Sequence, residues 1–129
     1  MAGSPSILAR FFRPQGVALI GASRDLSKLG YAVLRNLAQH GYAGPVYAVN
    51  PKAEEILGVR CYPTILDVPD PVELAVIIAP APATLDIMEQ IGRRGIRAVV
   101  IISGGYSEIG PQGLELENRL MDIARRYGI

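Results

Sequence analysis

Short unbroken apolar runs alternate along this chain with longer stretches in which apolar residues recur every three or four positions. Such runs suit strands buried on both faces, and the longer period suits amphipathic helices. Val17-Ala18-Leu19-Ile20 leads straight into Gly21-Ala22-Ser23, which predicts a strand over Gly16–Ile20 that ends in a tight turn. Leu29, Val33 and Leu37 then share a face with Gly30, Leu34 and Ala38, predicting a helix over Lys28–His40 with Gly41 as its C-cap. A second strand is expected at Pro45–Val49, a short helix at Ala53–Leu57 closed by Gly58, and an edge strand at Val59–Tyr62. Pro63, Pro69 and Pro71 make the next stretch loop-rich, with one helical turn at Ile65–Asp67.

Leu74 to Ala79 is continuously apolar and β-branched, a further buried strand, stopped by Pro80-Ala81-Pro82. Pro82 suits the first turn of a helix on which Thr84, Ile87, Met88 and Ile91 share a face and which Gly95 caps. Ala98–Ile102 reads as another buried strand and Pro111–Tyr127 as the last helix, with Leu116, Leu120, Ile123, Ala124 and Tyr127 as its inner stripe. Glu115–Arg119 and Asp122–Arg126 are spaced as surface ion pairs of that helix. Strands alternating with helices predict an α/β architecture: a Rossmann-like, doubly wound parallel sheet in three α/β/α layers. Residues 1–15 form a lead-in, where Ile7, Leu8, Phe11 and Phe12 suggest a short helix acting as a hydrophobic clasp, and 16–129 form one domain. The alternation calls for a further strand beyond Gly128-Ile129.

Composition narrows the function classes. Half of the 129 residues are hydrophobic, enough for a sizeable core. The formal net charge of +1 argues against a nucleic-acid binder. Cys61 is the single cysteine, which excludes an intrachain disulfide and points to a reducing compartment, the cytoplasm. Arg10 and Arg13 interrupt any signal-peptide core, and no apolar run is long enough to span a bilayer, so no membrane partner is expected.

Each major strand ends in residues unsuited to a core: Gly21-Ala22-Ser23, Asn50-Pro51-Lys52, Pro80-Ala81-Pro82 and Ser103-Gly104-Gly105. In a parallel sheet these ends lie on one edge, where ligands bind at the point of strand-order reversal; that point is expected between the first strand and the Leu74 strand. A helix N-terminus after Gly21 supplies unpaired N–H groups and a positive dipole end for a phosphate. The dinucleotide fingerprint is incomplete: a single glycine stands at the turn, the loop to Gly30 is long, and Lys52 occupies the place of the acidic ribose ligand. A lysine there suits a ligand with an additional phosphate near the ribose. Coenzyme A, with its 3′-phosphate, fits, and NADP is the rival.

These residues resemble a family. Val17-Ala18-Leu19-Ile20-Gly21-Ala22-Ser23, Val49-Asn50-Pro51-Lys52, Ile56-Leu57-Gly58, Tyr62-Pro63 with Val68-Pro69, Ala79-Pro80-Ala81 and Ile101-Ile102-Ser103-Gly104-Gly105-Tyr106-Ser107-Glu108 follow the order and spacing of the N-terminal CoA-binding domain of ADP-forming acyl-CoA synthetases. The α subunit of succinyl-CoA synthetase is a more distant likeness. The resemblance implies that Gly21, Ala22, Ser23, Ser27, Lys28, Leu29 and Gly30 meet the CoA phosphates. It likewise places Lys52, with Asn50 and Pro51, at a phosphate of the ADP moiety. Ala79, Pro80 and Ala81 would border the adenine or the pantetheine arm, and Ser103, Gly104 and Gly105 would line the path of the arm. Gly104-Gly105-Tyr106 stands where the family usually has Ala-Gly-Phe.

The resemblance also implies what lies elsewhere. The family's phosphoryl-carrying histidine sits in a following domain, its Gly-Pro-Asn-Cys segment would begin beyond Ile129, and its ATP-grasp part lies further on or in a β subunit. This chain is therefore expected to bind CoA or acyl-CoA without turnover, with those domains or that subunit as partners, and self-association remains open. A nicotinamide-binding oxidoreductase or redox sensor is the alternative, and a stand-alone CoA-sensing module a third. His40 is expected as a helix-end cation, Cys61 as a small buried residue, and Glu108 as a local cap or domain contact.

Overall fold

A computed structural model describes residues 6–129. Its sheet contains β1 (Val17–Ile20), β2 (Val46–Val49), β3 (Glu55–Ile56), β4 (Val59–Tyr62), β5 (Leu74–Ile77) and β6 (Ala98–Ile101). The order across the sheet is β3-β4-β2-β1-β5-β6. All neighbours are parallel except β3, which pairs antiparallel with β4. The chain moves outward from β1 through β2 and β4, then returns to place β5 on the other side of β1. The reversal thus falls between β1 and β5, as the sequence pattern predicts. Val17 to Ile20 align one-for-one with Val46 to Val49 on one side and Leu74 to Ile77 on the other, so β1 is wholly buried.

Alternation along the strands feeds two cores. Ala18, Ile20, Ala75 and Ile77 face α3 (Thr84–Arg94) and α4 (Pro111–Tyr127), packing with Met88, Ile91, Leu120 and Ile123. Val17, Leu19, Leu74 and Val76 face α2 (Leu29–Gln39), packing with Leu34, Tyr31 and Leu37. This is the expected three-layer arrangement. Gly95 closes α3 in the left-handed conformation at φ 82°, beside Arg93 and Arg94 in the last turn.

Four expectations are corrected. Ala53–Leu57 is not helical: Glu55-Ile56 pairs with Val59-Arg60 across a two-residue turn whose residues, Leu57 and Gly58, both have positive φ. The hairpin satisfies backbone groups that so short a helix would leave open, and it makes β3 the edge strand in place of β4. The Ala98–Ile102 run is a half-exposed outer strand, with Val100 and Ile102 each more than a third exposed, because no described strand pairs beyond it. Arg126 reaches Glu89 on α3 at 2.9 Å, while Asp122 pairs with Arg125 at 3.3 Å. Among the described residues Glu115 and Arg119 form no ion pair. Packing of α4 on α3 offers Arg126 a half-buried carboxylate that also accepts the Tyr127 hydroxyl at 2.7 Å.

The lead-in helix α1 (Ala9–Phe12) forms, but as a clasp it is only partly hydrophobic. Phe11 borders a shallow hollow with Val99, Ile101 and Ile129, whereas Phe12 is 82% exposed. Polar contacts do the fastening: the Gln15 N–H donates to Glu73, the Tyr42 hydroxyl donates to the Pro14 carbonyl, and the Gly16 N–H donates to that hydroxyl. Residues 1–5 of the lead-in lie outside the described residues.

Candidate functional site

The turn after β1 is built by two glycines. Gly21 has φ +99°, and a side chain there would strike the Ile78 carbonyl. A Cβ on Gly30 would strike the Gly21 carbonyl, so only glycine lets the first turn of α2 close down on the loop. Lys28 is the N-cap in extended conformation, no side chain caps the helix, and no acid occupies its first turn. The N-terminus of an eleven-residue helix is therefore left open for an anion. Ser23, Lys28, Leu29 and Gly30 line a cavity of about 420 Å³ here, together with Asn50 and Ile78.

Asn50 joins this cavity to two others. Its amide donates to the Ala22 carbonyl at 2.9 Å and its side-chain oxygen accepts from the Lys52 N–H at 2.7 Å, which locks the loops after β1 and β2 together. On one side of Asn50-Pro51-Lys52 lies an apolar cavity of about 370 Å³, walled by Ile20, Val49, Ile65 and Ile87 with Gln90 at its rim. On the other lies a polar cavity of about 670 Å³ bordered by Lys52, Glu54, Glu55 and Arg60.

The remaining candidates cluster at the ends of β5 and β6. Pro80, Ala81, Gly104 and Gly105 border a cavity of about 510 Å³ that extends along the N-terminal half of α4 from Gln112 to Arg119. The Ala79 N–H donates to the Ser103 hydroxyl at 3.2 Å. Thr84, the one fully buried polar side chain among the described residues, donates to the Ala81 carbonyl at 2.6 Å and accepts the Tyr106 hydroxyl at 2.9 Å. Glu108 accepts from the N–H groups of Gly105 and Tyr106, and these bonds hold its carboxyl below the ordinary glutamate value. Glu108 is thus a local cap.

Of the sixteen candidates, Ser27, Ala79 and Ser103 border none of these cavities. Ser27 is turned to Asp25, donating both its hydroxyl and its N–H to that carboxylate. Those bonds lower the Asp25 pKa, the side-chain bond most. Ala79 and Ser103 hold the two loops to each other. His40 sits exposed at the C-cap of α2. Cys61 is buried against the α2 face, and burial raises its thiol pKa. Among the described residues no group of three potential ligands could hold a metal, and no helix is long and apolar enough to cross a membrane.

Sequence reasoning missed the apolar wall from Ile65 and Ile87, the cation Arg60, and the Thr84–Tyr106 link. Only the last had a local signal, a lone threonine on an otherwise apolar helix face.

An open parallel-sheet edge, a glycine turn under an uncapped helix and a lysine beside an apolar slot define a Rossmann-like domain whose sheet edge is suited to an anionic ligand. Residues 15–129 match the family model described as the CoA binding domain, and the chain belongs to that family. Coenzyme A or acyl-CoA is accordingly its cofactor. The donor set fits such a group: the sheet edge offers Lys28, Lys52 and an uncapped helix N-terminus suited to phosphates, and an apolar cavity suited to a base.

The chain is 45% identical, over 95% of its length, to the ADP-forming acetate–CoA ligase II of Archaeoglobus fulgidus, of which it covers 18%. It is 40% identical, again over 95% of its length, to the α subunit of the ADP-forming acetate–CoA ligase I of Pyrococcus furiosus, of which it covers 27%. A solved structure of the dinucleotide-forming acetyl-coenzyme A synthetase 1 of Ca. Korarchaeum cryptofilum, in complex with phosphate and ADP, superposes with a TM-score of 0.90 at 43% identity. That match covers 95% of this chain and 26% of the other. The chain thus corresponds to the CoA-binding domain of ADP-forming acyl-CoA synthetases and spans about a fifth to a quarter of the length of these relatives.

Proposed function

We propose that this chain serves as the CoA-holding domain of an ADP-forming acid–CoA ligase in the cytoplasm, and that catalysis resides in further domains or a partner subunit. The observation that carries the reading is the meeting of three cavities at Asn50. The apolar slot between Val49, Ile65 and Ile87 takes the adenine. The open N-terminus of α2 takes the diphosphate, where the dipole and free N–H groups favour negative charge. Lys52, on the rim between the slot and the polar cavity, takes the 3′-phosphate. The pantetheine arm then runs past Ile78 toward Pro80, Ala81, Gly104 and Gly105, where small residues allow close approach.

In this role the domain binds and orients; its own residues carry out no covalent step. The thiol or thioester end is presented at the sheet edge to the phosphoryl-transfer groups of the larger enzyme, which link thioester cleavage to nucleoside triphosphate formation.

Calorimetric titration with CoA, dephospho-CoA and NADP tests the reading. CoA is expected to bind more tightly than dephospho-CoA, and Lys52→Ala to narrow the gap. NADP binding without CoA binding would refute it.

A further inference from the structure

We infer that Arg60 is the second cation of the 3′-phosphate pocket, the residue that makes the pocket able to select CoA over dephospho-CoA. The inference rests on the CoA reading above. Arg60 lies on β4, whose Tyr62 stands opposite Val49 at the ligand-bearing end of the sheet. Its guanidinium carbon lies 5.1 Å from the centroid of the Tyr62 ring, so the side chain leans along the strand toward that end. The ring restrains the guanidinium and lowers the entropy lost when it grips a ligand. Arg60 enters no ion pair among the described residues, yet it borders the same polar cavity as Lys52.

Charge makes Arg60 necessary. The cavity is also bordered by Glu54 and Glu55, and Glu55 lies directly opposite Arg60 in the β3–β4 register. With Lys52 as its sole cation the lining would be net negative and would repel a phosphate monoester, which approaches two negative charges at neutral pH. Arg60 brings the lining to neutrality. It also adds a planar fork that can hold two phosphate oxygens, which the point charge of Lys52 cannot.

The test is calorimetric titration of the unsubstituted chain, Arg60→Met, Arg60→Lys and Glu55→Gln with CoA and with dephospho-CoA. Methionine keeps an apolar stem over Tyr62, which limits folding effects. Arg60→Met is expected to weaken CoA about five- to tenfold and leave dephospho-CoA unchanged. Arg60→Lys should fall between the two, and Glu55→Gln should tighten CoA alone. Equal losses for both ligands in Arg60→Met would overturn the inference, since they would mark a structural role. So would an unchanged CoA affinity in a protein where Lys52→Ala still narrows the gap, an outcome that leaves the CoA reading standing. An unsubstituted chain that binds neither ligand would overturn both readings.

Discussion

Gly30→Ala sets two physical effects against each other. Alanine is the better helix former by about 1 kcal/mol in a helix interior, and by less in a first turn, where Gly30 sits. Propensity alone therefore raises stability. The added Cβ, however, would strike the Gly21 carbonyl and crowd the Ser23 N–H. Gly21 cannot give way, because its own φ is +99° and the Ile78 carbonyl stands against it from the other side. Overpacking of this kind costs about 1–3 kcal/mol, more where the obstacle is backbone. Sterics wins, with a net loss of about 1–2 kcal/mol and a fall in Tm of about 3–10 °C. The helix N-terminus must also lift off the loop, which spreads the N–H groups proposed above to meet the diphosphate. The assay is thermal unfolding by circular dichroism, paired with CoA titration. Asn36→Ala, on the exposed face of the same helix, supplies the propensity gain alone and is expected to melt slightly higher. A Gly30→Ala protein that melts at or above the parent temperature and binds CoA normally would refute the close-packed turn.

Thr84→Val removes a buried hydroxyl that serves two partners, the Ala81 carbonyl and the hydroxyl of the half-buried Tyr106, so a loss of about 1–3 kcal/mol is expected by chemical denaturation. Tyr106→Phe should cost less, because it leaves the Thr84–Ala81 bond intact. The Glu108 carboxylate, held below its ordinary value of 4.5 by backbone N–H donors, contributes loop order that is full above that value. This order is lost as pH falls through the lower folded value. An NMR titration of Glu108 should place its midpoint below 4.5, with the Gly105 and Tyr106 amides responding in step and Glu108→Gln abolishing the response. Cys61, only 8% exposed and with its thiol pKa raised by burial, should resist a disulfide reagent at pH 8 in the folded protein and react on addition of denaturant.

Sequence alone determined the class of fold. Unbroken runs such as Val17–Ile20 and Leu74–Ile77 are written for strands buried on both faces, and the 3.6-residue stripes of α2, α3 and α4 mark their inner sides. These are local patterns, set by the period of the backbone, and the alternation they reveal also placed the strand-order reversal and the loops at the C-terminal edge of the sheet. The tertiary structure decided what depends on neighbours distant in the chain. Glu55-Ile56 became a strand because Val59-Arg60 was there to pair with it. Ala98–Ile101 became half-exposed because burial depends on what packs outside a strand, which an apolar run does not encode. Arg126 chose Glu89 over Asp122 because helix packing brought a less solvated carboxylate within reach. At the proposed site, Lys52 stood out in the sequence by its position after a strand. Arg60 and the Ile65–Ile87 wall, which reach the cavities beside Asn50 only through strand register and helix packing, did not.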